Sequence, residues 1–219
     1  MPDLNRSKPA VARAGWLSSA TLAFTFATAL AVMAAPAAQS QSLPEGVDPA
    51  FAQATRGIAT DLLNQLGARL KGAMSTDGPI AAVSVCKEAA PAIAKDLSAK
   101  NQAQVTRVGT RVRNPTMGVP NAWQKVALAD FEQRIAHGDK PAELEHWSVA
   151  EVANGQRELR YAKAIAVQPL CVTCHGSKDD IPAALAEKIR LEYPDDQAVG
   201  YSVGKLRGAV VVTRVLPAQ

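Results

Sequence analysis

Half of the chain's cysteines and histidines sit in Cys171-Val172-Thr173-Cys174-His175; the sequence has three of each. Two thiols with two residues between them in a helical turn have the separation of the vinyl groups on a porphyrin edge. The histidine that follows turns its imidazole toward the iron. C-x-x-C also serves redox dithiols. Those follow an early strand and open a long helix, whereas this motif comes late, after two strand-like segments, with Gly176 directly behind it. A Cys3His zinc site would have to recruit the distant Cys86, and the second close ligand pair usual in such sites is missing. Chance spacing fits poorly in an exported chain, which tends to pair its cysteines. The motif is therefore read as the attachment site of one heme c. Cys171 and Cys174 are the thioether donors and His175 is an axial iron ligand.

Export is expected from the first 38 residues. Arg6, Lys8 and Arg13 precede an uncharged apolar stretch over 16–38, and Ala35-Pro36-Ala37 has the small-x-small pattern of a cleavage site. This is the layout of a secretory signal peptide; the alternative is an uncleaved anchor helix. Covalent heme attachment outside the cytoplasm agrees with either. Residues 39–49 read as a polar linker and 50–219 as one domain. The net charge is only +4, and no basic stripe with interleaved aromatics is present, so a nucleic-acid partner is not expected.

One C-x-x-C-H means one heme, which leaves the second axial position to assign. Met74, Met117, His137, His146, Cys86, water or nothing are the candidates. Cys86 is the leftover thiol in an exported chain, which asks for a reason. It lies on the apolar stripe Val83, Cys86, Ala90, Ile93 and Leu97 of a helix. On residue pattern alone it is either an iron ligand or a small buried hydrophobe.

The elements that must position these groups follow from periodicity. Asp48-Pro49 starts a helix over 50–74 with Ile58, Leu62, Leu66 and Leu70 on one face. The turn at 76–79 leads to the helix that carries Cys86, which Pro91 is expected to kink. Residues 104–115 alternate like a strand, with Arg107, Arg111 and Arg113 on one face and Thr106, Val108, Thr110 and Val112 on the other. Asn121 caps a helix through Trp123, Ala127, Phe131 and Ile135 that His137-Gly138 closes. Strands over 143–153 and 156–167 are joined by Asn154-Gly155. A short helix near 181–191 and a strand over 207–215 complete the domain. Helices come first and antiparallel strands mostly later, so the class is α+β.

Several stretches fall in one order: Val85-Cys86, Arg113-Asn114-Pro115 with Trp123 soon after, Cys171 to Gly176, Tyr193-Pro194-Asp195-Asp196 with Ala198 and Gly200-Tyr201, and Gly204 followed by Gly208. In these the chain, from about Asp48 onward, resembles a family of exported single-heme c-type domains with a PAS-like α+β fold. The resemblance implies an antiparallel sheet with N-terminal helices, an iron held by His175 and Cys86, and Arg113 as a candidate contact for a heme propionate. Ala164 stands where the family pattern has a proline shortly before the motif.

The expected function is electron transfer with a periplasmic redox partner protein. The alternative is a heme-based redox or gas sensor that changes its ligation. A cysteine in the sixth position leaves no open site for substrate, so enzyme activity is not expected. Contact with a membrane is expected only if the leader is retained.

Overall fold

The structure, a computed structural model, describes residues 42–152 and 155–218. The expected leader with its cleavage signal, residues 39–41 of the expected linker and Asn154 of the expected hairpin turn lie outside the described residues. Among the described residues no helix is long and apolar enough to cross a membrane.

Helix α1 (Pro49–Thr76) begins where the sequence signals it: the Asp48 carboxylate accepts from the Phe51 N–H at 2.9 Å. Pro49 loses nothing at the first turn, where its missing donor would be unpaired. Ala52, Ile58, Ala59, Leu62 and Leu66 are buried along one face, and Leu70 is only half-buried. The chain then folds back through α2 (Gly78–Ser84), a π-helical turn (Val85–Ala89) and α3 (Ala90–Asn101). Where a kink is expected at Pro91, the backbone instead widens into this π-turn. Proline has no N–H for the Lys87 carbonyl, and Ala90 N–H reaches back five residues to Val85 O.

Strands β1 (Gln104–Gly109), β2 (Glu145–Glu151), β3 (Arg157–Ala166) and β4 (Leu206–Val215) form one antiparallel sheet in the order β1-β4-β3-β2. The last strand is interior to the sheet, and its near-continuous apolar run follows from burial on both faces. Val210 and Val212 pack with Ile58 and Leu62 of α1, Leu97 of α3 and Val105 of β1. Ala209 and Val211 face the other way, onto Phe131, Leu128 and Ala127. These belong to α5 (Ala122–Ala136), which carries the Asn121/Gln124 capping box and follows the short α4 (Pro115–Gly118). The result is an α+β domain with helices on both faces of an antiparallel sheet. Glu145 fastens α1 to the sheet, accepting from Arg56 Nε at 2.8 Å and from the Tyr161 hydroxyl at 2.9 Å.

The sheet corrects one expectation. The strand expected over 104–115 ends at Gly109, and 110–114 turn away from the ladder. Gly109 pairs with Gly208, whose φ of 154° and contact with the Val108 carbonyl leave no room for a Cβ. Arg107 therefore stays on the sheet face that packs against the N-terminal helices, while Arg111 is exposed and Arg113 is buried. Ala164 is a buried residue of β3 whose N–H donates to Leu144 O at 3.1 Å, a bond that proline would forfeit. After β3 come a 3-10 turn (Pro169–Cys171), α6 (Val172–His175) and α7 (Ala183–Glu192).

Candidate functional site

The C-x-x-C-H segment is a single helical turn closed by Gly176, whose N–H bonds Val172 O at 2.8 Å. A Cβ on Gly176 would lie 2.6 Å from the same carbonyl, so only glycine fits the closure. The segment is then tied to residues 198–201 by backbone bonds, Tyr201 N to His175 O at 2.9 Å and Gly200 N to Gly176 O at 2.6 Å.

His175 is oriented by the buried Ala198 carbonyl, 2.6 Å from Nδ1. A carbonyl only accepts, so Nδ1 carries the proton and Nε2 keeps a free lone pair. Burial pushes the imidazole pKa down to about 2, with Arg113 and Arg207 adding to the effect, so the ring is neutral. The Tyr201 ring meets the imidazole edge-on, with centroids 6.3 Å apart. The Tyr201 hydroxyl is 2.8 Å from Thr110 Oγ1 and accepts from Arg111 N at 3.0 Å, and the Arg111 guanidinium lies 4.2 Å over its ring. A neutral, tautomer-fixed imidazole with a backbone partner has the form of a metal ligand with its supporting shell.

Arg113 holds the loops together. Its Nη2 donates to Cys174 O at 2.6 Å and pairs with Asp196 Oδ2 at 2.9 Å. Asp196 Oδ1 accepts from Ala198 N at 2.8 Å, so one carboxylate braces both the arginine and the residue that orients His175. Arg113 Nε is buried with no partner among the described residues. Arg107 is half-buried and desolvated. Burial lowers its pKa, and among the described residues it has no hydrogen-bond or ion-pair partner. Arg207 donates to Arg111 O at 3.0 Å, and its pKa too is lowered by burial.

The three cysteines are free thiols, each half-buried. Cys171 packs against Val167, Ala198 and Tyr201, and Cys174 against Val83, Leu185, Ile189 and Tyr193. Burial raises the Cys174 pKa, Arg113 lowers it, and the nearby Cys86 and Cys171 raise it further. Cys86 also acts electrostatically on Arg107 and Tyr193, which places the π-turn beside the motif. Val85, Glu88 and Ala89 of the same turn line a surface cleft of about 760 Å³ that Cys86 does not join. Cys86 thus lies within electrostatic reach of Cys174, while Val85, Glu88 and Ala89 line the cleft.

The other candidate ligands are engaged elsewhere. His137 is exposed at the end of α5, bonded to Gln133 O at 2.7 Å. His146 meets Asp130 at 3.1 Å and packs on Trp123 and Phe131. Met117 is exposed on α4, and Met74 lies in the last turns of α1. Among the described residues, no three His, Cys, Asp or Glu side chains are grouped to hold a bare metal ion, so the cysteines and His175 do not form a ready zinc site. The donors fit a larger group: two thiols on one turn, a free imidazole Nε2, a third thiol nearby, and arginine nitrogens without anions.

The model of the Tll0287-like family matches residues 24–214. The chain belongs to the Tll0287-like family. The crystal structure of the cyanobacterial heme-protein Tll0287 superposes with a TM-score of 0.53 at 28% identity, covering 79% of this chain and 99% of that one. Among curated proteins no match is found. Within this Tll0287-like domain, sequence reasoning missed the working role of Asp196, Ala198, Tyr201 and Arg207. The ordered stretches around 193–201 marked the region but not the bonds.

Proposed function

We propose that this chain is an exported monoheme c-type cytochrome that transfers electrons to or from a periplasmic partner protein. The observation that carries the reading is His175, oriented by Ala198 O and kept neutral by burial with Nε2 free, on the same turn as Cys171 and Cys174. In this reading Cys171 and Cys174 would hold the heme covalently, and His175 Nε2 and Cys86 Sγ would ligate its iron. Bound heme c supplies a one-electron couple. The similarity to the heme-protein Tll0287 supports the cofactor.

The chain's own residues set the properties of that couple. A cysteine thiolate donates charge to iron and favours the oxidised form, giving a low midpoint potential. Arg107 and the free Nε of Arg113 can donate to propionates; Arg113 Nη2 is already committed to the Cys174 carbonyl and Asp196. With both axial positions filled by protein, no site is left for a substrate, and the domain is a carrier rather than an enzyme.

A sensor reading has one specific observation in its favour. Cys86 lies on a π-helical turn, a form of backbone found often at functional sites and able to shift register. Release of Cys86 on reduction would open the iron to a small ligand such as CO or NO.

Covalent attachment is tested by acid–acetone extraction of protein matured with heme-attachment machinery. The chain is expected to keep its heme, and a Cys171→Ala, Cys174→Ala double variant to lose it. Extraction of heme from the unaltered chain would overturn the reading. A redox titration with a clearly positive midpoint would overturn the thiolate.

A further inference from the structure

The turn that carries Cys86 departs from the α-helical ladder on either side of it. Pro91 removes one donor from the ladder, and the turn closes by a five-residue bond from Ala90 N–H to Val85 O. Side-chain ties from the turn to α7 add to what holds it in place. Val83, one turn earlier, packs on Leu185 and Ile189 of α7. Lys87, the residue after Cys86, reaches 105 positions along the chain to Glu192 Oε2 at the end of α7. The other Glu192 oxygen accepts from Lys188, one helical turn back, at 2.6 Å, which holds the carboxylate in place. The residue after Glu192 is Tyr193, which belongs to the same apolar cluster as Cys174 and lies within electrostatic reach of Cys86. One ion pair thus links the Cys86 turn to the helix end that covers the motif.

We propose that Lys87 and Glu192 are positioning residues: their ion pair holds the Cys86 π-turn against α7 and so keeps the Cys86 sulfur in the axial position. This rests on the Cys86/His175 ligation proposed above and adds what regulates it. Hydrogen bonds from Lys188 and Lys87 hold the Glu192 carboxyl down to about 2, so the pair is intact at neutral pH. The tie is partly exposed, and its effect is a graded bias of the turn rather than a lock.

The test is competition for the axial position. Imidazole is titrated into the ferric heme-loaded protein and its binding followed in the Soret band. Its apparent affinity rises as Cys86 spends more time off the iron. Glu192→Gln and Lys87→Met are expected to tighten apparent imidazole binding up to about fivefold, the range open to an exposed ion pair. The charge-swapped double variant, Lys87→Glu with Glu192→Lys, is expected to move back toward the unaltered value. Lys95→Met removes an exposed positive charge from α3 and is expected to change nothing. Equal imidazole affinity in all of these, with a ferric spectrum that does respond to Cys86→Ala, overturns the positioning role alone. A ferric spectrum unchanged by Cys86→Ala overturns the ligation and the positioning role together. Failure of the charge swap to recover, or an equal effect of Lys95→Met, shows a field effect and also overturns it.

Discussion

Asp196→Ala tests how the motif is held. Asp196 and Arg113 form a pair at 2.9 Å with side chains only 10% and 9% exposed. Removing the carboxylate leaves a guanidinium in a site closed to water and also frees the Ala198 N–H, 2.8 Å from Asp196 Oδ1. Losing one partner of a buried pair costs about 3–5 kcal/mol. The freed amide overlaps with that loss, so the expected destabilisation is about 4 kcal/mol. With a urea slope of about 2 kcal/mol/M for a domain of this size, the midpoint falls by about 2 M. The assay is urea unfolding of the heme-loaded protein at neutral pH, followed by far-UV circular dichroism. A second readout is specific to the site: Ala198 O orients His175, so the variant's ferric EPR lines are expected to broaden. Replacing both residues, Arg113→Met with Asp196→Leu, should recover part of the stability, because no charge is then left buried although the Ala198 N–H and the Cys174 carbonyl stay unpaired. A loss below about 1 kcal/mol, the range of exposed pairs, would refute the view that this bridge organises the loops.

Gly176→Ala is expected to disrupt the motif, since the new Cβ would stand 2.6 Å from Val172 O; the yield of covalently attached heme measures this, and a normal yield would contradict it. Tyr161→Phe deletes the hydroxyl bond to Glu145 between α1 and the sheet, with an expected loss of about 1.5–3 kcal/mol by chemical denaturation and no change in the heme spectrum. The Glu192 pKa is lowered in the folded state, from 4.5 to about 2, so its contribution is present above pH 4.5 and lost as pH falls through 2. The stability difference between the unaltered chain and Glu192→Gln should accordingly be constant near neutrality and vanish in strong acid.

What was legible in the sequence was local. The Asp48 cap, the Asn121 capping box, the stripes of α1 and α5 and the alternation of β2 and β3 all carry their signal within a few residues. The C-x-x-C-H turn does too. Long-range bonds were not legible. Arg113 to Asp196, Lys87 to Glu192 and Tyr201 to Thr110 join residues that no periodicity relates. The alternation of arginines after Gly109 misled because the close approach of Gly208 ends the ladder there. The stripe through Cys86 read as an α-helix because a π-turn shifts the register by one residue only. Pro91 was its visible cause, but the sequence could not say whether the helix would bend or widen.

The central claim is that one iron is held between His175 and Cys86. Low-temperature EPR and the optical spectrum of the ferric protein, compared with those of Cys86→Ala, test it most directly. A low-spin, thiolate-type spectrum that converts to a different ligation state in Cys86→Ala is the expected result. Identical spectra for the two proteins would contradict the claim.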